Sequence, residues 1–86
     1  MSTPDEVFSS KGRTRILMIL VENEELNISA IAEKARLNYT STYAHLNALE
    51  ASGIVRCKRF GRIKVYLFAD NKKANLYKNF LREAMS

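Results

Sequence analysis

Asn38-Tyr39-Thr40-Ser41-Thr42-Tyr43-Ala44-His45-Leu46-Asn47-Ala48-Leu49-Glu50-Ala51-Ser52-Gly53 is the stretch on which the reading of this chain turns. Its spacing predicts one helix over 38–52. Asn38 is placed to cap the first turn, because its side-chain oxygen can accept from a free N–H there. Gly53 is placed to stop it, since glycine enters the left-handed region at little cost. Thr42, Leu46 and Leu49 share one helical face, with Ala48 beside it; Tyr39, Thr40, Tyr43, Ala44 and Asn47 share the other. That second face carries no charge and no large aliphatic side chain. Hydroxyls, an amide and two phenols suit contact with base edges better than simple solvation.

Directly downstream, residues 54–68 read as a β-hairpin. Two β-rich runs flank Phe60-Gly61-Arg62, where the glycine supplies the φ freedom of a tight reversal. Arg56, Lys58, Arg59, Arg62 and Lys64 crowd into this segment with no acidic residue among them. A solvated hairpin ordinarily mixes signs. A polar helix followed at once by a basic hairpin therefore predicts a groove reader with a backbone clamp.

The charge distribution supports the same partner. Residues 1–53 hold 5 Lys+Arg and 7 Asp+Glu, whereas 54–86 hold 9 and 2, so the net +5 comes entirely from the second part. Such asymmetry points to a polyanion. Eighty-six residues with 47% hydrophobic content predict one small domain over 1–86, and a partner subunit would help to complete its core. There is no apolar run long enough to span a membrane. The polar start, Ser2-Thr3-Pro4-Asp5-Glu6, is unlike a signal peptide. One cysteine fits a reducing compartment, so the expectation is a soluble cytoplasmic protein.

Upstream, residues 1–9 are expected to be flexible. A first helix is predicted over 10–23, with Ile16, Leu17, Ile19, Leu20 and Val21 forming a wide apolar stripe that implies burial on more than one side. Leu26-Asn27-Ile28 reads as a stub of strand, and Ser29 as the cap of a second helix over 30–36. Two short helices so closely joined match a helix-turn-helix. At the other end, Asp70 or Asn71 caps a last helix over 71–85. Tyr77, Phe80, Leu81, Ala84 and Met85 are expected on one side, and Lys72, Lys73, Lys78 and Arg82 on the other.

The order α1-β1-α2-α3-β2-β3-α4 and the run from Leu37 to Val55, with His45-Leu46-Asn47-Ala48-Leu49 and Gly53-Ile54-Val55, resemble the winged helix-turn-helix of ArsR- and MarR-like transcription regulators. Gly61-Arg62-Ile63-Lys64-Val65-Tyr66 is similar to the family's wing. The fold class expected is mainly α with a small β-hairpin wing. The resemblance implies a homodimer on double-stranded DNA, with helix 38–52 in the major groove and wing 54–68 on backbone or minor groove. Carried over by position, Tyr39, Thr40, Tyr43, Ala44 and Asn47 would face bases, and Ser41 a phosphate. Lys58, Arg59, Arg62 and Lys64 would serve the wing. First and last helices would build the dimer through Ile16, Leu20, Tyr77, Phe80, Leu81 and Ala84.

Two departures from the pattern matter. Metal-sensing ArsR proteins carry Cys-x-Cys near the start of the second helix, where this chain has Asn27 and Ser29. One cysteine and one histidine cannot supply three or four soft ligands. No metal and no cofactor are expected. Ala44 also stands where a basic side chain is frequent, which removes bidentate reading of guanine from that position.

His45 is expected to be a packed structural residue rather than a pH switch, and Cys57 a half-buried thiol rather than an intersubunit disulfide. Ser41 and His45 fall four apart, but no strained nucleophile turn surrounds them, so no enzyme is expected. A non-specific architectural DNA-binding protein and a winged-helix protein-interaction module are the alternatives.

Overall fold

The computed structural model describes residues 11–86, and asparagine side chains start three of the four helices among those described residues. The elements are α1 (Lys11–Glu22), β1 (Leu26–Asn27), α2 (Ile28–Ala35), α3 (Tyr39–Ala51), β2 (Val55–Phe60), β3 (Ile63–Phe68) and α4 (Lys72–Met85). This is the expected winged-helix order. The predicted start of the first helix at Ser10 and the flexible segment 1–9 lie outside the described residues.

The caps explain the helix boundaries. Asn38 Oδ1 accepts from Ser41 N at 2.7 Å, and Asn71 Oδ1 from Ala74 N at 2.7 Å. The second helix departs from expectation at both ends. Its cap is Asn27, not Ser29: Asn27 Oδ1 accepts from Ala30 N at 2.8 Å, so Ile28 and Ser29 already lie within the helix. It ends at Ala35 because Arg36 takes the left-handed conformation, φ 57°. There Leu37 N donates to Ala32 O (3.0 Å) and Arg36 N to Glu33 O (3.2 Å). This double bond pattern normally has glycine at the left-handed position.

The end of α3 follows the same pattern with its usual residue. Gly53, φ 78°, donates to Glu50 O and Ile54 N donates to Leu49 O, each at 3.0 Å, while Ile54 and Leu49 both enter the core. The chain is thereby turned directly into β2.

The sheet is antiparallel in the order β1-β3-β2. Val55 pairs with Phe68, Cys57 with Tyr66 and Arg59 with Lys64 on its inner face; Arg56/Leu67, Lys58/Val65 and Phe60/Ile63 alternate on the outer face. The reversal uses two residues, Gly61 and Arg62, with Gly61 at φ 62°.

Ile16, Leu17, Leu20, Ile31, Leu46, Leu49, Ile54, Val55 and Tyr66 form the innermost core. The wide stripe of α1 is accounted for by packing, since α1 touches α2, α3, α4 and β3. Ile16 and Leu20 are therefore consumed inside the protomer, as is Leu81 from α4. They do not face outward for a partner as the sequence suggested. Thr42 is fully buried, and its hydroxyl donates to Asn38 O at 2.9 Å. Tyr66 is buried beside the half-buried Cys57; burial first, then the Cys57 side chain, pushes its phenol up to about 12.

A candidate nucleic-acid interface

Because Thr42, Leu46 and Leu49 pull one face of α3 into the core, the opposite face must stand in solvent. Tyr39, Thr40, Tyr43, Ala44 and Asn47 are all exposed there, and Ser41 is half-buried at the first turn. Tyr39 and Tyr43, one turn apart, stack with centroids 6.3 Å apart and planes 10° from parallel. Stacking limits their rotamers and turns both phenols into one stiff ridge.

The wing reaches the same surface. On its inner face, beyond Cys57 and Tyr66, come Arg59 and Lys64. Lys64 Nζ lies 5.7 Å from the centre of the Tyr43 ring, within cation–π range. One basic side chain of the wing thus rests on the exposed face of α3, so the two expected contact elements form a continuous surface. Arg59 and Arg62 are exposed. Lys58 is differently engaged: its ammonium pairs with Glu25 at 2.8 Å and lies 5.9 Å from the Phe60 ring centre. That pair ties the wing's outer face to the segment before β1.

His45 explains how α3 is seated. Arg13 Nε donates to its Nδ1 at 3.2 Å, which leaves the proton of the neutral ring on Nε2. Burial, and secondarily the Arg13 charge, hold its pKa below the usual 6.5. Gly12 permits this approach: a Cβ there would lie 2.7 Å from His45 Nε2 and 3.1 Å from its Cδ2. Neither contact was foreseen from sequence, since both join positions more than thirty residues apart. Arg15 adds a second tie from α1, donating from Nη1 to Ala35 O at 2.6 Å.

On α4 the expected apolar side is divided. Ala74, Tyr77, Leu81 and Met85 turn toward the core, whereas Phe80 and Ala84 point away with Leu76, which sequence reading passed over. The overlooked signal was the spacing 76, 80, 84. Phe80 and Leu76 are 64% and 63% exposed, and Met18 on α1 is also exposed. The expected basic side holds in part: Lys72 and Arg82 are exposed, but Lys78 is half-buried with its ammonium 5.8 Å from the Phe68 ring centre.

Asn27, which the family resemblance sets against the first cysteine of a metal-sensing Cys-x-Cys, has its side chain occupied in capping α2. Among the described residues no group of three or more His, Cys, Asp or Glu side chains could hold a metal ion.

Residues 10–56 match the family described as bacterial regulatory protein, arsR family. The chain belongs to the ArsR family. An uncharacterised protein of Methanocaldococcus jannaschii is 30% identical over 83 residues, covering 93% of this ArsR-family chain and 90% of that protein. The cadmium resistance transcriptional regulatory protein CadC of Listeria innocua is 29% identical over 84 residues, covering 94% of this chain and 71% of CadC. Among solved structures, the homodimeric winged helix-turn-helix DNA-binding domain of a possible ArsR-family regulator from Mycobacterium bovis superposes with a TM-score of 0.76. It is 25% identical, with 92% of this chain and 71% of that one covered. HlyU of Vibrio cholerae, at 19% identity, shares the fold with a TM-score of 0.78 over 91% of this chain and 83% of its own. The relatives named for a function are regulators rather than enzymes. Among the described residues no helix is long and apolar enough to cross a membrane.

Proposed function

We propose that this ArsR-family chain is a homodimeric, DNA-binding transcriptional regulator that acts by occupying promoter DNA. The observation that carries this reading is the continuous surface formed where Lys64 meets Tyr43: an uncharged, hydrogen-bonding helix face joined to an acid-free basic wing. Tyr39, Thr40, Tyr43 and Asn47 address base edges in the major groove, with Ala44 offering only a methyl contact. Ser41 lies at the α3 N-terminus, where exposed N–H groups favour a phosphate. Arg59, Arg62 and Lys64 anchor the wing on backbone or minor groove, and Lys58 contributes once it leaves Glu25.

The dimer places two such surfaces on one duplex. The Mycobacterium bovis neighbour is described as homodimeric, and here the apolar row Leu76, Phe80 and Ala84 stands exposed on α4. Tyr77 is half-buried beside it. The protomer measures 31 × 28 × 24 Å, commensurate with half-sites about 34–36 Å apart on one side of a duplex. Metal is not sensed at the start of α2, because Asn27 and Ser29 replace the thiolates and Asn27 is committed to its cap; stoichiometric zinc binding by the purified protein would contradict this.

The division of labour predicts how variants behave. Each phosphate contact contributes about −0.9 to the slope of log affinity against log salt. Arg62→Ala weakens all sequences alike and flattens that slope, whereas Asn47→Ala blurs preference among sequences. Equal effects of both variants on every duplex would overturn the assignment. A second reading, non-specific coating of DNA, is favoured by one observation: the exposed face of α3 carries no cation. Selection from random duplexes separates the two, since a regulator enriches a two-fold symmetric site and a coating protein enriches none.

A further inference from the structure

The outer face of the wing is built unlike its inner face. Phe60 and Ile63 are direct cross-strand partners on either side of the Gly61-Arg62 turn, and both are more than half exposed, at 56% and 57%. Phe60 and Ile63 are the last pair before the turn, and both are exposed, whereas Val55 and Phe68 at the other end of the hairpin are buried, so the pair sits at its extremity. Opposed residues on one sheet face lie close enough to form a single apolar ridge. Solvation alone does not account for a phenylalanine and an isoleucine side by side at the tip of a basic hairpin.

We propose that the Phe60–Ile63 ridge is an apolar wedge that enters the DNA minor groove, partly unstacks a base step and bends the duplex. This rests on the DNA-binding reading above and adds the shape of DNA as a determinant of recognition. Charge selects the occupant. Arg62 lies in the turn between Phe60 and Ile63, Arg59 and Lys64 stand on the opposite face of the same hairpin end, and residues 54–68 contain no carboxylate, so a polyanion is the partner this end of the hairpin fits. The inner face of the hairpin is held against α3 through Lys64 and Tyr43, which orients the tip toward the groove beside the one α3 occupies. Apolar side chains inserted at a step kink duplexes by about 20–90° toward the major groove. Pyrimidine–purine steps yield most easily, so the wedge selects TA or CA steps at positions without base contacts.

The test uses a duplex of about 30 base pairs of alternating T and A, closed by G·C pairs. It carries dyes at its ends and 2-aminopurine for one central adenine. At low salt, binding of the full chain is expected to shorten the end-to-end distance and raise 2-aminopurine emission. The double variant Phe60→Ala, Ile63→Ala alters only exposed side chains, and its melting curve verifies folding. It is expected to bind within about tenfold of the parent, since phosphate contacts supply most non-specific affinity, while both signals disappear. Phe60→Leu is expected to keep them.

Binding by the parent with a straight, stacked duplex would overturn the wedge and leave the DNA-binding reading intact. Equal bending by the double variant would do the same. A change in oligomeric state of the double variant, with bending unaltered, would assign the ridge to contact between copies. Failure of the parent to bind any duplex would remove both readings.

Discussion

Replacing Phe80 by alanine is expected to separate the proposed dimer while leaving the protomer folded. The side chain is 64% exposed, so roughly a third of its surface is already covered within the chain. Fully burying such a residue contributes about 1.5–3 kcal/mol, and covering the open two-thirds contributes about 1–2 kcal/mol. A two-fold axis counts it twice, giving about 2–4 kcal/mol per dimer, or roughly 30- to 700-fold in the dissociation constant. Sedimentation equilibrium over a concentration series measures that constant, and far-ultraviolet circular dichroism checks that helix content is kept. Ile16→Ala is the contrasting variant. Ile16 is fully buried in the protomer, so its truncation is expected to cost about 2–5 kcal/mol of folding stability and to lower the melting temperature. A Phe80→Ala protein that dimerises as tightly as the parent would refute the placement of the interface on the outer row of α4. So would an Ile16→Ala protein that dissociates without loss of stability.

Arg36→Gly is expected to stabilise the fold by about 1 kcal/mol, because the left-handed position at φ 57° no longer opposes a Cβ; a melting temperature that fails to rise would count against it. Gly12→Ala is expected to destabilise despite better helix propensity, because its Cβ would stand 2.7 Å from His45 Nε2 and overpacking costs about 1–3 kcal/mol against a propensity gain of about 1 kcal/mol. The double variant with His45→Ala should recover part of the loss. His45 is held neutral in the folded chain, so the unfolded chain binds more protons from 6.5 down to the lowered folded value. Stability is therefore expected to fall on acidification through that window, and the parent should lose more than His45→Gln. Tyr66 has the opposite dependence: its phenol stays protonated from 10 up to about 12 when folded, so stability falls as pH rises through that range. Urea melts of Tyr66→Phe should show a weaker alkaline decline.

The helices and the hairpin were legible because their signals are local. Asn38 and Gly53 bracket α3, and alternating β-rich runs bracket Gly61. The cap of α2 was misread because Ser29 and Asn27 are both competent caps, and only the pairing of Asn27 with Val65 fixes where the strand ends. The left-handed Arg36 gave no signal, since nothing in an arginine announces positive φ. Assignment of Ile16, Leu20 and Leu81 to a dimer failed for a different reason. Periodicity shows that a side chain is apolar, not whether its own chain or another covers it. For α1, packing on four neighbouring elements decides that. The face of α3 was readable from spacing alone, whereas the Lys64–Tyr43 and Lys58–Glu25 contacts depend on how distant segments meet.

Lys73 Nζ donates to Ser52 O, and Asn71 Nδ2 to Gly53 O, each at 2.9 Å. The end of α3 is thus stapled to the start of α4, and β2 and β3 lie between as one hairpin. In a dimer joined along α4, each reading head would then be cast in one piece with its own half of the seam. The protomers would behave like the legs of a pair of calipers, whose opening is set at the pivot and nowhere else. An operator with one base pair added between its half-sites could not be accommodated by bending the arm, and would be met by only one protomer at a time.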